Sequence, residues 1–372
     1  MMFISRTLRL CCQRRFLVPL SVLALASPWL LKGVAFNTTP KTYEWHVEPE
    51  HRKLVQGYVQ SVLKRECRPA FARKGMEARI PTTTPVMEPF LWRESRITDT
   101  VFQYPPPFGF LNLEEKLMDV LRHLPPSPTQ EHHGKDCQRC VVIGNGGILR
   151  GLELGTLIDQ FDVVIRLNSG PVKDFNKDVG NRTSIRMSYP EGSPKVWEDQ
   201  DPKLKFVAVI YKSVDFHWLN AMITKQTVSL WDWLFFWQKV PDDIPLKLSQ
   251  FYVLNPEIIR ETALDLLQYP KPKFHLWGWD QVTTARHNVP TLGVSALNLA
   301  TYLCDEVSLA GFGYNLSQRE APLHYYDALP MAAMLSQDMH NVNQERALLQ
   351  ALVEDGTVAD LTGGIHCTFC SS

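Results

Sequence analysis

The chain has no excess of either charge: 39 Lys and Arg stand against 39 Asp and Glu in 372 residues. A basic face, the usual footprint of a nucleic-acid partner, is therefore not indicated, whereas a small anionic substrate needs only a local patch. No internal repeat stands out. A complete dinucleotide fingerprint is missing as well. Gly144-Asn145-Gly146-Gly147 starts like G-x-G-x-x-G, but its last position is Leu149, which counts against NAD. Nor is there a metal-binding cysteine framework. Cys137 and Cys140 form C-x-x-C without a second metal-type pair and suitable histidines, so a zinc site is rejected. A D-x-D that holds a divalent ion is expected just past a strand. Asp199-Gln200-Asp201 stands before one, beside Pro202, and reads as a solvated turn.

What is present bounds the molecule. Hydrophobic residues at 45% are enough for a full core, in one large domain or two small ones. One run, FLVPLSVLALASPWLL from Phe16 to Leu31, carries no charge, and Arg6, Arg9, Arg14 and Arg15 precede it. That flank predicts a cytosolic amino terminus. The run is short for a plasma-membrane span, and Gly33 to Phe36 extends it past Lys32; short spans suit thinner membranes of the early secretory pathway. A cleaved signal peptide is the competing reading, with Ala24 and Ala26 as small residues near a cleavage site. Cys11 and Cys12 lie on the cytosolic side, as palmitoylation candidates or plain thiols. The other six cysteines, an even number, allow complete pairing in an oxidising compartment. Asn37, Asn181 and Asn315 open N-x-S/T sequons.

The polar, mixed stretch after the span reads as a stem, with helical spacing at Leu54, Tyr58, Val62 and Leu63 inside His51–Cys67. Thr82–Pro107, rich in Pro and Thr, reads as an extended linker. Leu113–Leu124 is an amphipathic helix stopped by Pro125-Pro126. An alternation then begins. Strands are predicted at Cys140–Ile143, Phe161–Leu167, Leu204–Tyr211, Phe251–Leu254 and Val307–Ala310, with helices at Val294–Cys304 and Gln344–Val353. In the last helix Ala347, Leu348, Ala351 and Leu352 form the apolar side, and Gly356 stands where a stop is expected. This predicts an α/β fold, a mostly parallel sheet with helices on both faces. WDWLFFW, Trp231–Trp237, could contact a membrane surface or pack as a core helix; the core is the better prior.

Ligands of open α/β sheets bind beyond the carboxyl ends of the strands. Asn145 and Asn168 stand just past two predicted strands, so both amides could face one crevice; capping a turn is an equal alternative. Thr291-Leu292-Gly293 precedes a helix whose first amides could hold a base or phosphate, and Gly311-Phe312-Gly313 ends a strand. Two histidines complete the set. His324 opens His324-Tyr325-Tyr326-Asp327, and on residues alone a structural bond to Tyr325 or Asp327 is its first reading. His340 stands just before the last helix, whose amino end disfavours a charged imidazole. A neutral histidine suits general-base chemistry. Glu345 falls in the first turn of that helix, where a carboxylate complements the dipole.

These segments carry a resemblance. Cys140–Met187 resembles the large sialylmotif of animal sialyltransferases, Pro290–Gly313 the small one, His324–Asp327 the third and His340–Glu345 the very short one, all in the family's order. Similarity continues through ECRPAF around Cys67, PPFGF, and LNPEIIRETALDLLQYP. The resemblance implies a variant of the GT-A-type, Rossmann-like sialyltransferase fold. It implies a Golgi membrane protein, single-pass and type II: cytosolic tail 1–15, signal-anchor 16–36, stem 37–65 and lumenal catalytic domain 66–372. It implies disulfides Cys140–Cys304 and Cys67–Cys137, with Cys367 and Cys370 unassigned. CMP-sialic acid is the implied donor, with no metal and no other cofactor. Asn145, Gly146, Asn168, Thr291, Gly293, Gly311, Gly313 and His324 are the implied donor contacts, His324 at the phosphate and His340 as base. The intervening stretches imply inverting α2,3 transfer to terminal galactose, with lactosylceramide expected and another galactose-terminated acceptor, such as a glycoprotein glycan, as rival. A noncatalytic Golgi glycan-binding protein is the reading of another class. A second copy of the chain is a candidate partner, besides the membrane.

Overall fold

The computed structural model describes residues 46–80, 87–127, 137–199, 201–272, 288–337 and 339–370. The expected tail and anchor, Cys11, Cys12 and Asn37 lie outside the described residues. Among the described residues, no helix is long and apolar enough to cross a membrane.

Eight strands form one sheet: β1 Phe90–Leu91, β2 Arg139–Ile143, β3 Val163–Leu167, β4 Ile185–Ser188, β5 Lys205–Ala208, β6 Phe251–Leu254, β7 Glu306–Ala310 and β8 Val358–Asp360. Their order is β1-β6-β5-β4-β3-β2-β7-β8. β1 runs antiparallel to β6; every other pairing is parallel. The five strands expected from the sequence are all present. β1, β4 and β8 were not expected. β4 carries an arginine, Arg186, in its middle, and β1 and β8 are too short for a period to register.

Burial on both faces explains the near-continuous apolar strands. In β2, Cys140 and Val142 pack on one face with the helix Leu292–Leu303, while Val141 and Ile143 pack on the other with the helix Pro49–Lys64. In β6, Tyr252 and Leu254 face the first layer, and Phe251 and Val253 meet the helices Glu114–His123 and Val214–Thr224.

Several local expectations are corrected. The helix Pro49–Lys64, read as stem, buries Val55, Val59 and Val62 against Leu152, Leu154 and Phe161, so the folded body begins before residue 66. Of the predicted face Val62 is buried and Tyr58 and Leu63 are partly buried against the same cluster, but Leu54 is exposed, and Val55 and Val59 take the centre. The last helix, Val342–Glu354, likewise buries Glu345, Leu349, Leu352 and Val353 rather than the alanines. Gly356, at φ +76°, ends it as expected. The described part of the presumed linker is packed: Trp92, Tyr104 and Phe108 are buried, beside β1 and a 3-10 turn at Asp99–Phe102. Among the described residues three disulfides are present, Cys67–Cys137, Cys140–Cys304 and, in the tail, Cys367–Cys370. Asn181 and Asn315 are both exposed. Trp231–Trp237 is not core: only Phe236 of the seven is buried.

Candidate active site

The order of the sheet reverses at β2. The chain steps away through β3, β4, β5 and β6 on one side and through β7 and β8 on the other. The loops after β2 and β7 therefore meet at the switch point, where open α/β sheets bind ligands. They meet closely. The Gly146 amide donates to Gly311 O at 3.0 Å, and a Cβ on Gly144 or Gly146 would collide with that same carbonyl. Glycine is required here for the two loops to cross, not only for room beside a ligand.

This crossing brings in His324. The Gly147 amide donates to Leu323 O, and the Tyr325 amide donates to Asn145 O, each at 3.0 Å. Gly146 and His324 are thereby paired as an antiparallel bridge. His324 Nδ1 donates to Asp327 Oδ2 at 2.8 Å, and its ring stacks on Tyr326 at 5.1 Å between centroids. The Asp327 bond was the structural reading of this histidine; it also directs Nε2 as the remaining ring nitrogen for a ligand.

Asn145 and Asn168 are anchored at one side of the same crevice. Asn145 Nδ2 lies 3.5 Å from Leu167 O, the last residue of β3. Asn168 adopts φ +52°, and its Oδ1 accepts from Ser188 Oγ at 3.2 Å. Its carbonyl accepts from Arg186 Nη1 at 2.6 Å. The Arg186 guanidinium is held in turn by Asp199, which also accepts from Thr183 Oγ1 at 2.6 Å. Asp199 is thus a buried ion-pair partner that supports the Asn168 loop, not a solvated turn residue. Only Asp201 keeps the surface role, accepting from the Lys203 amide at 2.8 Å. Arg186 and Thr183 hold the Asp199 carboxylate well below its usual range despite burial.

The second histidine sits on the other side. His340 Nδ1 donates to Val289 O at 2.8 Å. Its backbone is pinned by Gln337, whose Oε1 accepts from the His340 amide at 2.8 Å. With Nδ1 carrying the proton, the neutral ring presents a bare lone pair at Nε2. Burial lowers its pKa and favours that neutral form. Asn341 caps the following helix, accepting from the Gln344 amide at 3.2 Å. Glu345, 3% exposed, turns inward to accept from the amide and hydroxyl of Thr291, at 2.6 and 2.7 Å. Burial raises this carboxyl to about 7. Thr291 caps Leu292–Leu303, so Glu345 ties the starts of the two helices together. Gly293 packs against the Phe312 ring, and Gly313, at φ +93°, against the backbone of Gly364.

Tyrosines fill the space between the two histidine loops, and sequence reading passed over them. Tyr189 and Tyr211 pack edge to face at 5.2 Å. Burial, with the Glu345 charge, raises Tyr211, Tyr269 and Tyr314; Tyr326 is raised by burial and feels Asp327, Tyr189 and Tyr314. The phenols therefore remain neutral donors. Tyr326 stands in the His324–Asp327 motif; no period or motif marks the others, because they come from the ends of different strands and loops.

A pair of amides at a switch point, a half-buried neutral histidine, and a crevice of neutral phenols suit transfer from a nucleotide donor. Residues 90–357 match the model of glycosyltransferase family 29 (sialyltransferase), and the chain belongs to that family. It is a glycosyltransferase. Among its relatives is the human lactosylceramide alpha-2,3-sialyltransferase, 48% identical over 92% of this chain and 82% of the relative. The human CMP-N-acetylneuraminate-beta-1,4-galactoside alpha-2,3-sialyltransferase is 36% identical over 80% of this chain and 77% of the relative. The crystal structure of a mammalian sialyltransferase shares the fold, with TM-score 0.59 and 21% identity over 80% of this chain and 98% of that one.

Proposed function

We propose that this protein is an inverting α2,3-sialyltransferase that moves sialic acid from CMP-sialic acid to O3 of the terminal galactose of lactosylceramide, forming ganglioside GM3. The acceptor follows the relatives at 46 to 48% identity, all lactosylceramide alpha-2,3-sialyltransferases. The observation that carries the chemistry is His340, with Nδ1 committed to Val289 O, which makes Nε2 the lone-pair nitrogen of the neutral ring. In a single in-line displacement the acceptor hydroxyl attacks the anomeric carbon while CMP departs. Nε2 takes the hydroxyl proton as the new bond forms. His324 Nε2 faces the phosphate, where negative charge grows as the bond to the sugar breaks. Asn145 and Asn168 hold the nucleotide, with Gly146, Thr291, Gly293, Gly311 and Gly313 shaping the backbone around it. No divalent ion enters this scheme: Asp199, the nearest to a metal-type motif, is committed to Arg186 and Thr183.

We place the catalytic body in the Golgi lumen, behind a type II anchor at 16–36. An acceptor panel tests the assignment. Purified full-length protein with CMP-sialic acid is expected to sialylate lactosylceramide in preference to lactosamine and galactose-terminated glycoproteins. The reverse preference would move the protein to the glycoprotein reading.

A further inference from the structure

The segment between Ser229 and Gln238 leaves six large apolar side chains uncovered. Leu230, Trp231, Trp233, Leu234, Phe235 and Trp237 are 85, 77, 42, 58, 69 and 69% exposed. A contiguous patch of this kind marks an interaction surface. The segment is nonetheless held in a defined shape. Ser229 caps its short helix, Leu230–Trp233. Phe236 turns inward, with Lys212 Nζ 4.8 Å from its ring centroid. Gln238 Nε2 donates to Glu191 O.

Two features identify what covers it. First, two lysines beside it are already matched by carboxylates, Lys225 with Asp243 and Lys239 with Asp242. An acidic headgroup has little to gain from cations so paired. What remains is indole and phenyl, the side chains that settle at the interface of a bilayer. Second, the segment is tied to the candidate site through a buried turn. The turn Pro190–Gly192, gripped by Gln238, closes directly on Asn168, since a Cβ on Gly192 would collide with the Asn168 amide. On the same chain, only residues 32–45 separate the charge-free run 16–31 from the first described residue, so an anchor there keeps the body within reach of a membrane.

We propose that this aromatic segment is a bilayer-docking surface that inserts into neutral, zwitterionic lipid and holds the site against the membrane in which a lipid-linked acceptor is embedded. The acceptor's identity rests on the function proposed above; the insertion does not.

The test uses the full chain reconstituted in phosphatidylcholine vesicles, with Trp231→Gln, Phe235→Gln and Trp237→Gln combined in one variant. The fluorescence difference between wild type and variant isolates Trp231 and Trp237. Brominated phosphatidylcholine is expected to quench that difference in the absence of any acceptor, at low and high salt alike. The variant is expected to lose about tenfold or more in kcat/KM on vesicle lactosylceramide, because interfacial burial of its rings is gone. Its rate on soluble lactoside and its affinity for CMP are expected to be unchanged. An unquenched difference signal would overturn the docking surface even where lactosylceramide is sialylated. Quenching in a protein that ignores lactosylceramide would remove the proposed acceptor and uphold the surface. Loss of self-association in the variant, with an unquenched signal, would assign the patch to a second copy and overturn the proposal.

Discussion

His340 and His324 differ in what holds their Nδ1, and that difference separates their roles. A backbone carbonyl holds the first and a carboxylate the second. The first contact fixes the tautomer with Nδ1 protonated and Nε2 as the lone-pair nitrogen; the second fixes the ring of His324 against the Asp327 carboxylate. His340→Ala is expected to lower kcat by on the order of a hundredfold to ten-thousandfold, with CMP affinity nearly intact. His324→Ala is expected to weaken CMP binding as well as turnover. Single-turnover rates and CMP titration on both variants check the division. Because burial depresses the His340 pKa below the ordinary histidine value, its neutral form persists into more acidic solution. The rate should fall only as pH drops through the depressed value, so the acid limb of kcat should lie below about 6.5. A pH profile with that limb at or above an ordinary histidine value would contradict a desolvated base.

Asp199 makes a second prediction of the same kind. Its partner Arg186 is 2% exposed, so removing the carboxylate leaves a buried guanidinium unpaired. Asp199→Ala should cost about 3–5 kcal/mol, read by urea unfolding. Chelator should leave wild-type turnover intact, and manganese should not restore the variant.

Between elements, Glu345 is the joint to watch. It belongs to the last helix yet bonds the cap of Leu292–Leu303. Its carboxyl is raised from 4.5 to about 7, by burial foremost. The sign follows directly: the stability linked to this proton is full below about 4.5 and is lost as pH rises through about 7. Glu345→Gln keeps an acceptor for the Thr291 amide and removes the titration. Wild-type thermal stability, compared with this variant, should therefore decline between those two pH values. A pH-independent difference would show that the carboxyl is not raised.

Across the molecule, Cys140–Cys304 bridges residues 164 apart, joining β2 to the end of the helix Leu292–Leu303. Both halves of the crevice hang on that junction. Non-reducing peptide mapping should recover the crosslink. Cys304→Ser should destabilise by about 2–5 kcal/mol, the usual cost of losing a native disulfide.

The strands β2, β3, β5, β6 and β7, the last helix and the residues past the strand ends were legible because each rests on short-range pattern. Apolar runs, a glycine stop and histidines in motif order survive any packing. Which side of a helix turns inward is not local. Val55 replaced Leu54, and Leu349 replaced the alanines, because the neighbouring layer selects the face from a pattern that permits more than one. β4 escaped notice because its arginine finds a partner, Asp199, in a separate loop, and only folding removes the cost of burying that charge. The same reason governs Trp231–Trp237. Composition says that these rings prefer to leave water, but the chain alone does not say whether protein covers them. The sheet and its helices take in only Phe236, and so the rest of the aromatic face is left for something outside the fold.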